Sequence, residues 1–175
     1  KATRSPVTYA SSPVKASQAP TNAYNESMPG ERVKRAIASV DELTASAHKW
    51  PDNIRDVPVY EASGTSEFGY YSPVLADYPH TSKVVLNAST ENPEFVLLHE
   101  QGHFFDNAVM GGDRVMRTEL GPASSSELAD WRTAGYDSAA YKDLTASRDA
   151  LFSWDPKREY LDYLASDSEL WARSY

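Results

Sequence analysis

The chain has 175 residues, 41% hydrophobic and 24% charged, with a formal net charge of −8. That is the size and make-up of one soluble globular domain, and the negative charge argues against a nucleic-acid partner, which selects for a basic face. There is no cysteine, so any bound metal must be held by histidine and carboxylate, and no apolar run reaches the roughly 18 residues of a membrane span.

Residues 1–29 are rich in Ser, Ala, Pro, Thr and Asn with little periodicity. They read as an extended tail or linker; the alternative is a segment that wraps the domain through Tyr9, Val14 and Tyr24. The chain starts at Lys1 with neither an initiator methionine nor an apolar signal core, as expected of a mature form or an excised fragment. It stops at Tyr175 inside a helical pattern, which leaves room for more chain beyond it. The domain itself is expected over residues 30–175.

Pro29-Gly30 breaks the chain. From Glu31 to about Lys49, the residues Val33, Ile37, Val40, Leu43, Ala47 and Trp50 recur at steps of three and four, which predicts an amphipathic helix closed by Pro51. Val57 to Tyr60 is a short strand, with Pro58 hinting at an edge. Gly64-Thr65-Ser66 is a turn, and Phe68 to Tyr71 is a second strand stopped by Ser72-Pro73. Lys83-Val84-Val85-Leu86-Asn87 is a third strand.

Ser89 to Pro93 supplies the cap and first turn of a helix that ends at Gly111-Gly112. This helix carries His99-Glu100-Gln101-Gly102-His103. Residues four apart leave the same helix face about one turn apart, so His99 and His103 can present two imidazole nitrogens to one zinc ion. Glu100 follows the first ligand, where its carboxylate can take a proton from a metal-bound water. Val96, Leu97, Leu98, Phe104 and Phe105 make the helix apolar, and burying two histidines and a glutamate among them is costly unless something compensates. The competing explanation is a helix whose histidines meet core partners.

The remaining chain reads as helical over about Ser126–Ala134, Ser138–Phe152 and Asp167 to the end, with breaks at Tyr136-Asp137 and Asp155-Pro156. One helix, a small sheet, the motif helix and then helices define an α+β fold.

Catalytic zinc sites use three protein ligands and leave a fourth position for water. Asp106, on the same helix, runs along the axis and reads as an outer residue or a cap on a neighbouring group. His48 and His80 read as surface histidines. The serious candidates are Glu127, beside Leu128 and Trp131, and Glu169, beside Leu170 and Trp171.

Taken together, His99-Glu100-Gln101-Gly102-His103-Phe104-Phe105-Asp106 and Tyr163 … Glu169-Leu170-Trp171-Ala172-Arg173-Ser174-Tyr175 resemble the catalytic domain of anthrax lethal factor and the Pro-Pro endopeptidases. The likeness covers roughly residues 57–175. It implies a zincin-like metallopeptidase domain of the gluzincin type: a small mixed sheet, an active-site helix and a helical C-terminal half. It further implies Zn2+ held by His99, His103 and Glu169, with Glu100 as general base and Tyr163 as oxyanion donor. Two positions depart from the family pattern. Arg173 stands where the family has an acid, and the family's tyrosine falls at Asp162, one residue before Tyr163; Tyr160 is the other candidate.

The expected activity is zinc-dependent endopeptidase chemistry on a polypeptide lying along an edge strand at Lys83–Asn87. A toxin or effector domain that cuts one protein is a variant of this expectation, and the location expected is outside the producing cell, secreted or delivered. The alternative is a non-catalytic structural or binding module, phage- or secretion-associated, on a peptidase-like fold. Retention of Glu100, which a purely structural metal does not need, argues against it.

Overall fold

The computed structural model describes residues 25–47, 57–65, 67–73, 82–111, 116–120 and 126–174. They form an α+β fold with a small mixed sheet and a mostly helical remainder. The strands are β1 (Asn25–Ser27), β2 (Val59–Ser63), β3 (Gly69–Ser72) and β4 (Lys83–Asn87). The helices are α1 (Glu31–Ala47), α2 (Pro93–Phe104), α3 (Ala129–Asp137), α4 (Ala139–Asp149), α5 (Pro156–Leu164) and α6 (Asp167–Ser174). Among the described residues no helix is long and apolar enough to cross a membrane.

The periodicity of α1 does what its sequence promises. Val33, Ala36, Ile37 and Val40 are buried along one stripe. Leu43, expected on that stripe, is exposed, and Thr44 takes the buried place; its hydroxyl donates to the Val40 carbonyl at 2.9 Å, which removes the cost of burying it. The stripe joins Leu97 and Phe104 of α2 against Val59, Tyr71, Val84 and Leu86 on one face of the sheet. Both helices therefore lie on the same side of the strands.

The strand order is β1-β2-β4-β3. β1 pairs antiparallel with β2, β2 runs parallel to β4, and β3 pairs antiparallel with β4. This corrects the expectation for Lys83–Asn87. It is an inner strand with neighbours on both sides, and its successive residues Val84, Val85 and Leu86 are all fully buried. A run of that kind has both faces covered, whereas a strand lining an open cleft alternates. Among the described residues the sheet ends on β1 at one side and on β3 at the other.

Of the segment read as a tail or linker, only residues 25–29 are described. Asn25–Ser27 are part of the sheet, and Glu26 is held by Lys83 Nζ at 2.5 and 2.7 Å and by the Tyr70 hydroxyl at 2.9 Å. Tyr9, Val14, Tyr24, His48 and His80 lie outside the described residues.

Two further features set up the site. The Asn87 side chain donates to the Thr65 and Glu67 carbonyls at 2.8 and 2.9 Å and accepts from the Ser89 backbone and hydroxyl at 3.0 and 2.8 Å. It thereby fixes the β2–β3 turn to the start of the α2 approach. In that turn Gly64 has φ 79°, a left-handed conformation that glycine adopts without strain.

Candidate metal centre

Pro93 opens α2, where the missing N–H costs nothing. Past Phe104 the helix widens into a π-helical turn, Phe105–Gly111, instead of stopping; such widened turns are rare and gather at functional sites. The His99 and His103 rings meet edge to face with centroids 4.8 Å apart, and their Nε2 atoms are 3.2 Å from each other.

α6 brings the carboxylate. Ser166 starts it, its hydroxyl accepting from the Glu169 N–H at 3.4 Å and its carbonyl from the Leu170 N–H at 2.9 Å. Close approach to α2 depends on small residues: a Cβ on Gly102 would lie 2.7 Å from the Cα of Ala172. Trp171 Nε1 donates to the Gly102 carbonyl at 3.0 Å, directly across the contact. Trp131 of α3 packs edge to face on Trp171 at 5.2 Å. Held in this way, Glu169 sits 3.3 Å from His99 Nε2 through Oε2 and 3.2 Å from His103 Nε2 through Oε1.

His99, His103 and Glu169 thus form a group that could share a metal ion. The fit can be tested on its dimensions. Ligands about 2.0–2.1 Å from zinc occupy tetrahedron corners about 3.3–3.4 Å apart. The two Nε2 atoms are 3.2 Å apart, close to that edge length; the carboxylate straddles them, one oxygen near each ring, and one ligand atom from each of the three residues lies within 4.8 Å of the others. Two imidazoles with a carboxylate is a known catalytic zinc donor set.

The electrostatics are those of a buried charge cluster. Burial raises the Glu100 carboxyl above its ordinary range, although His103 and His99 pull it down; Glu169 adds to the rise, and a hydrogen bond from the Tyr71 backbone opposes it. For Glu169 burial also pushes upward, but hydrogen bonds from His103, His99 and Tyr163 outweigh it and hold the group well below the usual carboxylate range. Burial disfavours a charged His103, yet Glu169, Glu100 and Asp106 together raise its pKa. Tyr163 is pushed up by burial and by its hydrogen bond to Glu169, so its hydroxyl keeps its proton across the neutral range.

The structure therefore brings His99, Glu100, His103, Tyr163 and Glu169 together. Glu127 is elsewhere: it is exposed and pairs with Arg117 Nε at 2.6 Å. Asp106 is fully buried and accepts from the Thr118 backbone N–H at 2.9 Å and from the Thr118 hydroxyl, so it acts as the cap on a neighbouring group. Tyr160 is mostly exposed and stacks on Tyr163 at 6.4 Å. Arg173, at the family's acidic position, folds back: Nε donates to the Glu169 carbonyl at 3.0 Å and a terminal nitrogen to the Leu164 carbonyl, tying α6 to the end of α5 beside Tyr163.

The Gly102–Ala172 contact and the Trp171 bond to Gly102 were not foreseen from the sequence. A glycine inside an apolar helix and an alanine on the facing one were their only sequence signal. Comparison of the chain with protein-family models, curated proteins and solved structures gives no match.

Proposed function

We propose that this chain is a zinc-dependent endopeptidase with a zincin-like fold, working outside the cell that makes it. The observation that carries the proposal is the convergence of His99, His103 and Glu169, one donor atom of each within 4.8 Å of the others, with the buried Glu100 carboxylate beside them. When bound, zinc supplies Lewis acidity and lowers the pKa of its water to about 7.

The residues divide the remaining work. Glu100 is the general base: its carboxylate lies beside both histidines, where it can take a proton from a metal-bound water. Tyr163 is a neutral donor beside the ligand carboxylate, suited to support a developing oxyanion.

The substrate would add to the free edge of β3 as an extended strand. The Phe68 carbonyl accepts from the Asn87 N–H at 2.9 Å, so by the alternation of an antiparallel pair Tyr70 and Ser72 bond to β4 while Gly69 and Tyr71 point off the sheet. Tyr71 gives its backbone hydrogen bond to Glu100, so the Gly69 end of this edge is the part proposed to pair with substrate, near the proposed general base.

The test is cleavage of a peptide library by the zinc-loaded protein and by Glu100→Gln. Gln keeps the shape but cannot take the proton, so cutting should fall at least about 10²-fold with zinc still bound. Equal cleavage by the variant, or none by the zinc-loaded wild type, would overturn the proposal.

A further inference from the structure

We infer that Arg132 is a positioning residue for the third metal ligand, the inference resting on the metal reading above. A polar chain, buried at Asp106, Thr118 and Arg132 and half-buried at Asp167, runs from the end of the motif helix to the start of α6. Asp106, three residues past His103, holds Thr118 by backbone and hydroxyl. The Thr118 carbonyl accepts from a terminal Arg132 nitrogen at 2.8 Å, and Arg132 Nε donates to Asp167 Oδ2 at 3.1 Å. Asp167 stands two residues before Glu169, in the first turn of α6. Its other oxygen accepts from the Tyr136 hydroxyl. A second strut runs alongside, from the Ser168 hydroxyl to Glu119 Oε1 at 3.1 Å.

The chain closes a ring: His103 to Asp106 along the helix, through Thr118 and Arg132 to Asp167, and from Glu169 back to His103. Arg132 is only 4% exposed, and Asp106 and Thr118 are fully buried. A guanidinium at that depth is a poor source of stability, since a buried ion pair can often be exchanged for apolar residues without loss. What the planar fork does supply is direction, because it bonds two acceptors on different elements at fixed angles. Those elements are the Thr118 turn, anchored to the motif helix, and the α6 start, which carries Glu169.

The experiment replaces both charges in Arg132→Met/Asp167→Leu and measures zinc affinity by competition with a chromophoric chelator, alongside thermal melting of the metal-free protein. Removing supports outside the coordination sphere costs about 10–100-fold in metal affinity, and that loss is expected here in a protein that remains folded at the titration temperature. A merely structural role would lower the melting temperature and leave the zinc dissociation constant unmoved, which overturns the inference. Should the double variant be too unstable to titrate, Arg132→Lys carries the test. It keeps the charge but not the fork, the same loss is expected, and wild-type affinity contradicts it. Absence of zinc binding in the wild type would instead sink the metal reading, so the two failures are distinguishable.

Discussion

Gly102 faces the main chain of Ala172: a methyl on Gly102 would come within 2.7 Å of the Ala172 Cα and 3.2 Å of its Cβ. The contact sets how near α6 lies to α2, and so how near Glu169 lies to the two histidines. Gly102→Ala should push the helices apart. Overpacking of this kind costs about 1–3 kcal/mol, against which alanine's better helix propensity offsets about 0.8–1.0 kcal/mol. The clashing atom is main chain, which cannot swing aside, so a net loss of stability together with weaker zinc binding is expected. Denaturant melts and a zinc titration check this, and unchanged values in both would contradict it.

Glu100 makes a stability prediction separate from catalysis. Its folded-state pKa is raised, mainly by burial. A carboxyl that holds its proton more tightly when folded favours the fold below the ordinary glutamate range and loses that advantage as pH rises through the raised value. At neutral pH the buried charge therefore costs stability, and Glu100→Gln removes the cost. In chelator-treated protein the variant should melt higher than wild type near pH 7, with the gain shrinking toward about pH 4, near the unperturbed glutamate pKa. A variant less stable than wild type at neutral pH would show that the carboxylate is held by contacts stronger than its burial.

The β3 edge can be checked without knowing the cleavage sequence. The Gly69 amide points away from β4, while the Val84 amide is already bonded to the Pro58 carbonyl at 2.9 Å. On saturation with a peptidyl hydroxamate, hydrogen exchange should slow at Gly69 and stay unchanged through β4. Protection confined to some other element would remove β3 as the docking edge.

How much of this was legible in the sequence differs by element. His99, Glu100 and His103 were readable because a helix converts a four-residue spacing directly into a shared face. Glu169 was not readable in that way. Residue spacing left Glu127 open, and the apolar flank of Leu170 and Trp171 together with the family resemblance favoured Glu169; the packing of Gly102 on Ala172 is what brings it to the histidines. The α1 stripe was legible apart from the exchange of Leu43 for Thr44.

Strand order was not legible, because pairing partners are set by tertiary packing. The unbroken Val84-Val85-Leu86 run did carry the signal that β4 is interior. Helix α5 was missed: its apolar residues Tyr160, Leu161, Tyr163 and Leu164 span too short a stretch to establish a period, and none of its residues is fully buried. Its start was nonetheless visible in Asp155-Pro156, where the Asp155 side chain accepts from the Lys157 N–H at 2.9 Å.

The central claim is that His99, His103 and Glu169 hold one metal ion. Elemental analysis of the protein, purified without chelator and again after zinc addition, tests it most directly. About one zinc per chain is expected in wild type and in Glu127→Ala, with the metal lost in His103→Ala and Glu169→Ala because each removes one of the three protein ligands a catalytic site requires. A wild-type protein that takes up no zinc, or a Glu169→Ala variant that keeps it while Glu127→Ala does not, would contradict the account.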